Sequence, residues 1–177
     1  FFMRKWVVVL SLPALFGYAA DSNLVRNASF EDADVHATWT AFGSAATIGV
    51  TTNSFSGSYA GVASNRTQTY GGPAQDMRGL LTSGTTYLVS AWVKVSMPAG
   101  VTNQRVQMNM KEQFSGSTLK YVSIGNQLLP DSEWIKVAGM YRYNPTGAEQ
   151  TLQLYFFGPA VQYDIVVDDV EFFGPPD

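Results

Sequence analysis

Residues 85–97 read TTYLVSAWVKVSM, and the alternation of their side chains decides the fold. In an extended chain successive side chains point to opposite faces, so positions two apart share a face. One face is uniformly apolar and comprises Tyr87, Val89, Ala91, Val93 and Val95. The other face is mixed and comprises Leu88, Ser90, Trp92 and Lys94. This pattern predicts a long strand with one face in a core.

The same period of two recurs along the rest of the chain. Further strands are predicted over 47–52, 58–64, 104–114, 118–124, 133–143, 150–158 and 163–173. The segments between them are rich in Gly, Pro, Asn, Asp and Ser, which favour turns. Eight or nine strands with short connections predict an all-β, antiparallel sandwich with no helix in its body.

Composition excludes several classes of function. The 177 residues carry a net charge of -3, and the 11 Lys and Arg residues do not cluster, which argues against a nucleic-acid or anionic membrane partner. The chain has no cysteine, so disulfides and thiolate metal sites are excluded. Its single histidine, His36, is expected to be a loop residue rather than a catalyst.

The first twenty residues are typical of a secretory signal. A short positive start at Met3–Lys5 precedes an apolar run over 6–18, and small residues follow. This run is too short to span a bilayer comfortably, and a buried N-terminal strand is the alternative. We therefore expect a secreted, extracellular protein with a signal peptide at 1–20, one β-sandwich domain at 21–174, and the start of a linker at 175–177.

Two predicted strands carry an unusual second face. In 104–114 the positions away from the apolar face hold Gln107, Asn109, Lys111 and Gln113. In 150–157 one face holds Gln153, Tyr155 and Phe157, and the other holds Leu152, Leu154 and Phe156. Aromatic rings beside amides suit a sugar-binding cleft, since rings cover the apolar faces of sugars and amides bond their hydroxyls. An ordinary sandwich exterior, or a face that is itself core, is the alternative.

Four segments, in this order, carry a resemblance to a known family. They are NLVRNASFED (23–32), SFSGSYAGVASNRTQTYGGPAQDM (54–77), LTSGTTYLVSAWVKV (81–95) and YDIVVDDVEFF (163–173). Together they resemble the carbohydrate-binding modules of family 22 and, more loosely, those of family 4. The resemblance implies a jelly-roll β-sandwich, a noncatalytic role, a cleft for a polysaccharide such as xylan or mixed-linkage β-glucan, and a structural calcium ion.

The resemblance also implies particular sugar contacts. Tyr70 takes the place of a cleft aromatic that is usually tryptophan, and Arg66 is expected to orient its loop or bond sugar hydroxyls. Tyr121 and Tyr155 match cleft tyrosines of the family. Phe42 and Phe157 stand where the family often has an arginine and a glutamate. The predicted site is completed by hydrogen-bonding residues of the polar strand face: Gln107, Asn109 and Gln113.

The two phenylalanines change the expected specificity. Each removes a directional bond and adds stacking surface, which favours unsubstituted glucan chains or a xylan bound mainly by stacking. Loss of glycan binding is the alternative.

The calcium ligands are implied by the resemblance as well. The carbonyls of Ser29 and Gly57 and the carboxylates of Glu31 and Asp168 match the family's metal positions, and calcium prefers such oxygen ligands. The alternative is that Asp168 and its neighbour Asp169 are a plain solvated pair.

The expected function is therefore noncatalytic binding of a β-linked plant cell-wall polysaccharide by a monomer. Modules of this kind usually accompany a glycoside hydrolase domain in the same polypeptide. Two readings stay open: a structural or adhesive sandwich that has lost glycan binding, and a small glycosidase, which would need two facing carboxylates. Glu112 is the carboxylate expected on the cleft, beside Lys111.

Overall fold

The computed structural model describes residues 22–32, 34–98, 100–101, 104–130 and 132–175. The predicted signal peptide and the last two residues of the predicted linker lie outside this part. The described residues form ten strands. They are β1 (Thr40–Ala41), β2 (Thr47–Thr51), β3 (Ala60–Ser64), β4 (Pro73–Asp76), β5 (Thr86–Val95), β6 (Gln104–Phe114), β7 (Lys120–Leu129), β8 (Ile135–Arg142), β9 (Glu149–Phe157) and β10 (Ile165–Phe173). The helices of the described part are two three-residue 3-10 turns, Val35–Ala37 and Phe42–Ser44.

The strands form two five-stranded antiparallel sheets. The first sheet has the order β1-β4-β9-β6-β7 and the second the order β2-β3-β10-β5-β8. The predicted all-β sandwich is thus confirmed. The apolar face of β5 lies in the core as expected, because Tyr87, Val89 and Val93 are all buried. Met108 and Met110 of β6 and the leucines of β9 face them from the first sheet.

The sequence-based prediction missed two strands. β1 has only two residues, too few to show a period. β4 begins at Pro73, directly after two glycines, in a stretch that reads as a turn. The turn comes earlier, where Gly71 N donates to Gln68 O at 2.9 Å. At Gly72 an added Cβ would lie 1.8 Å from the carbonyl oxygen of Phe156, so glycine lets β4 join β9.

The two ends of the described chain lie together. Leu24 N donates to Phe172 O at 3.1 Å, which joins the first segment to β10. Ser22 and Pro175 line the same pocket, beside Tyr87 at the start of β5. Both ends therefore lie at one end of the second sheet. Among the described residues, neither helical turn has the length or apolarity to cross a bilayer.

Candidate functional site

The candidate site lies on the outer face of the first sheet, which we call the tyrosine face. Residues paired directly across antiparallel strands share a face, and they form rows across β4, β9, β6 and β7. One row runs Ala74, Tyr155, Asn109 and Ser123. The next row runs Asp76, Gln153, Lys111 and Tyr121. The register thus brings together side chains from the polar faces of two predicted strands.

A stacked aromatic pair forms the middle of the tyrosine face. The rings of Phe42 and Tyr155 lie 3.8 Å apart at 9°, and Phe157 stacks on Tyr155 at 5.2 Å. Phe42 is 7% exposed and Tyr155 only 3%. Burial raises the pKa of the Tyr155 hydroxyl. In this arrangement no sugar ring can enter between Phe42 and Tyr155, so the predicted stacking of sugar on Tyr155 requires Phe42 to move.

Two tyrosines remain open on either side of this pair. Tyr70 is 43% exposed and meets Phe42 edge-on at 6.2 Å, and Tyr121 is 55% exposed and meets Tyr155 edge-on at 6.5 Å. Gly43 makes the position of Tyr70 possible: it has φ +61°, and an added Cβ would lie 2.9 Å from the Tyr70 ring. The exposed rings offer the apolar surface that sugars require.

Arg66 is a support of the Tyr70 loop rather than a sugar ligand. It is buried, and its guanidinium donates five hydrogen bonds of 2.5 to 3.0 Å to backbone carbonyls, which are those of Thr69, Gly71, Pro159, Ala160 and Tyr163. Arginine has five N–H donors, so all are used. Burial lowers the pKa of Arg66, and the charge of Asp164 opposes that shift. Two roles were expected for Arg66, and the geometry agrees with orienting the loop, because no N–H donor is left for a sugar hydroxyl.

The amide side chains of β6 differ in their exposure to solvent. Asn109 is buried, its Nδ2 donates to the Tyr155 hydroxyl at 3.5 Å, and its Oδ1 has no hydrogen-bond partner among the described residues. Gln107 and Gln113 are half-buried. The predicted site omitted Lys111 and Gln153, although their alternation with Asn109 and Tyr155 already puts them on this face.

The expectation that Glu112 lies on the cleft is wrong. Glu112 pairs with the core residue Leu152, and its carboxylate accepts a hydrogen bond from Tyr141 of the second sheet. On the tyrosine face the register places Asp76, whose carboxylate is held by Arg78 at 2.6 Å. A glycosidase needs two carboxylates that face each other across the substrate. The described strands of this face do not provide such a pair.

The four predicted metal ligands come from three segments that meet at the second sheet. Ser29 lies in the turn whose Ala28 carbonyl accepts from Val170 N at 3.0 Å. The carboxylate of Glu31 accepts from Ser58 N and Tyr59 N at 2.7 and 2.9 Å. Gly57, the residue before Ser58, has φ +61° and lies next to the Glu31 carboxylate.

The carboxylate of Asp168 is enclosed and is held by backbone N–H groups. It is fully buried, and its Oδ2 accepts from Phe55 N and Ser56 N at 2.9 and 3.1 Å, while Oδ1 accepts from Asp169 N. Burial raises the pKa of Asp168. The ion pairs of the described residues do not include it. A buried carboxylate without a cationic partner fits a bound cation. The described part holds no cluster of three or more acidic, histidine or cysteine side chains, so carbonyls would have to complete the shell.

An antiparallel sandwich with exposed tyrosines and half-buried glutamines on one sheet face has the architecture of a carbohydrate-binding module. Comparison with known families agrees: the model described as "Carbohydrate binding domain" matches residues 22–163. The chain belongs to this family, which confirms the recognition made from the sequence.

Two relatives are similar to this chain in sequence, and a solved structure is similar in fold. The chain is 31% identical over 164 residues to the exoglucanase XynX of Acetivibrio thermocellus, covering 91% of this chain and 15% of that protein. It is 31% identical over 161 residues to endo-1,4-beta-xylanase A of Thermoanaerobacterium saccharolyticum, covering 89% and 14%. The fold matches the CBM22-2 xylan-binding domain of Paenibacillus barcinonensis Xyn10C with a TM-score of 0.74, at 21% identity over 84% of this chain and 98% of that one.

Proposed function

We propose that this chain is a noncatalytic module that binds a β-linked plant cell-wall polysaccharide, xylan or β-glucan, on the tyrosine face. The observation that carries the proposal is the pair of exposed rings, Tyr70 and Tyr121, on either side of the stacked Phe42 and Tyr155. The names of relatives, which include a xylanase and an exoglucanase, support this class of ligand.

In this mechanism the exposed residues contact the sugars, and the buried residues hold the exposed ones in place. Tyr70 and Tyr121 stack on sugar rings, and Gln107 and Gln113 bond sugar hydroxyls. Phe42, Tyr155 and Phe157 form the apolar floor beneath, and Asn109 holds the Tyr155 hydroxyl in place. Arg66 fixes the loop that carries Tyr70. Each contact is weak, so affinity comes from several sugars bound along one chain.

Affinity electrophoresis tests this proposal. The panel contains arabinoxylan, glucuronoxylan, barley β-glucan, hydroxyethylcellulose, glucomannan and starch as the negative control. We expect retardation by at least one β-glycan. Tyr121→Ala and Tyr70→Ala should each weaken it with little change in melting temperature, because both rings are exposed. Tyr59→Ala is the matched control, since Tyr59 is 41% exposed and lies outside this face. If Tyr70→Ala and Tyr121→Ala are retarded as strongly as the wild type and Tyr59→Ala, the two tyrosines do not belong to the site.

The absence of catalysis is part of the proposal. It is supported by Glu112, which faces the second sheet, and by Asp76, which Arg78 holds. Incubation with the retarding glycan should release no reducing sugar above a heated control. Release that survives purification and disappears in Asp76→Asn would contradict this part.

A structural or adhesive role without glycan binding is the second candidate. The observation that favours it is the burial of Tyr155 beneath Phe42, which closes one of the expected stacking surfaces. If no polysaccharide in the panel retards the protein, this candidate replaces the first.

We also propose a structural calcium ion at Glu31, Asp168 and the carbonyls of Ser29 and Gly57. The buried carboxylate of Asp168 supports it. A bound calcium would neutralise this charge and join the N-terminal turn and the 54–59 loop to β10. EDTA should lower the melting temperature, and added calcium should restore it while magnesium should not. An identical melting temperature in metal-free protein with and without calcium would refute the site.

Two features of the larger protein are proposed from the sequence and the relatives. The chain spans only 14 to 15% of the length of the two curated relatives described above, which supports a glycoside hydrolase domain in the same polypeptide. The charge and hydropathy of residues 1–20 support export by a cleaved signal. N-terminal sequencing of secreted protein should begin near Asp21. We propose a monomer in solution, which size-exclusion chromatography with light scattering would check.

A further inference from the structure

We propose that the tyrosine face contains a subsite for an acidic branch, a uronate carried on the polysaccharide main chain, and that Lys111 binds its carboxylate. This inference rests on the proposed polysaccharide binding and specifies the class of ligand.

Lys111 occupies a central position on this face. It lies on β6 in one row with Gln153 on β9 and Tyr121 on β7. Its Nζ lies 5.3 Å from the ring centroid of Phe42, and the side chain is half-buried. The ammonium group therefore lies over the aromatic floor, in a cation–π contact with Phe42, on the strand position directly opposite the exposed Tyr121.

The charge of Lys111 is uncompensated among the described residues. Their ion pairs are Arg78 with Asp76 and Lys136 with Glu171. Asp76, the acidic residue in the same row, receives three hydrogen bonds of 2.6 to 3.0 Å from the Arg78 guanidinium. Its charge is therefore already matched. A half-buried ammonium interacts with an incoming anion more strongly than a fully solvated one, because water screens it less.

A pocket next to the surface proposed for the polysaccharide chain has room for the acidic branch. It has a volume of about 170 Å³ and is lined by Asp76, Arg78, Lys111, Gln150, Thr151, Leu152 and Gln153. This volume equals that of about five or six liquid waters, at roughly 30 Å³ each, the scale of one sugar rather than a chain. Lys111 belongs both to this pocket and to the row of Tyr121. A polysaccharide chain stacked on Tyr121 can thus direct a branch past Lys111 into a pocket that contains the Arg78–Asp76 ion pair together with amide and hydroxyl groups.

The test compares neutral and acidic ligands with one backbone. Calorimetry measures the dissociation constants of linear xylohexaose and of a xylooligosaccharide of equal length with one glucuronate branch. The wild type should bind the acidic ligand about three- to tenfold more tightly, as expected for one partly buried charge-assisted contact. Lys111→Met should abolish this preference, and Lys111→Arg should retain it. Lys120→Met is the matched control, since Lys120 is an exposed lysine on the neighbouring strand, paired with Glu112. Raising the salt concentration should reduce the preference and leave xylohexaose affinity unchanged.

Other outcomes separate the two proposals. Binding of xylohexaose without preference for the acidic ligand overturns this inference and leaves the proposed function intact. Equal loss of affinity for both ligands in Lys111→Met, with Lys111→Arg also impaired, makes the lysine a support of Phe42 and overturns the inference. Binding of polygalacturonate as tight as that of the acidic ligand shows unspecific charge attraction and also overturns it. If the protein binds neither ligand, the inference is overturned, and so is the proposal that xylan is the polysaccharide bound.

Discussion

Replacing Arg66 with methionine should destabilise the domain strongly, although Arg66 lies outside the central core. The guanidinium donates to five carbonyls and joins the 66–71 loop to residues 159–163. Two of these bonds, to Gly71 and Pro159, are buried. A buried acceptor left without a donor costs about 1–3 kcal/mol. The remaining three carbonyls are only partly buried, so water can replace much of what they lose.

The expected loss is the balance of two effects. The two buried acceptors together contribute about 2–6 kcal/mol. Methionine avoids the cost of burying a charge, which offsets part of this. The net loss in the free energy of unfolding is therefore about 3 kcal/mol, which corresponds to roughly 6–12 °C in melting temperature for a chain of this size. Urea titration and calorimetry measure both quantities. Arg78→Met, which removes an exposed arginine, is the matched control and should melt close to the wild type. A drop of less than about 2 °C in Arg66→Met would refute this account of the loop.

Two further predictions concern aromatic residues. Phe42→Ala should uncover the ring of Tyr155 and increase xylan affinity. It should lower the free energy of unfolding by about 2–3 kcal/mol, less than for a phenylalanine of the main core, because Phe42 packs in a small separate cluster. Unchanged electrophoretic retardation in a folded variant would show that Phe42 does not restrict the site. Burial, with the hydrogen bond to Glu112, raises the pKa of Tyr141 above its ordinary value, so the folded state holds this proton more tightly than the unfolded chain. The stability that this group contributes is fully present below about pH 10 and is lost as pH rises beyond it. Tyr141→Phe should therefore make the alkaline fall in stability less steep, as urea titrations between pH 8 and 10.5 would measure, and an equally steep fall would contradict the assignment.

The strand faces were predictable because a period of two needs no knowledge of tertiary structure. The opposite orientations of Tyr155 and Phe156 follow from their adjacency in one strand, and the register agrees with them. β4 was missed because Pro73 and the preceding glycines are turn residues by local propensity, whereas the close approach of Gly72 to Phe156 is a tertiary requirement.

The inner arrangement of the site could not be predicted in the same way. Phe42 and Tyr155 are 113 positions apart, and nothing in either segment indicates that one ring covers the other. The role of Arg66 likewise depends on carbonyls of residues 159–163, more than 90 positions away. The resemblance supplied candidate residues but not their mutual contacts. The resemblance offered Phe42 and Tyr155 as separate sugar contacts, whereas the structure stacks one ring on the other.

The hydrogen bond between Leu24 and Phe172 has a consequence for how the domain is carried. Any polypeptide that continues beyond Ser22 or Pro175 departs from one end of the second sheet. The tyrosine face is the outer surface of the first sheet, about 10 Å farther across the sandwich. The attachment region of the proposed neighbouring domain and the proposed polysaccharide site would therefore lie on different sheets, so that neither would obstruct the other.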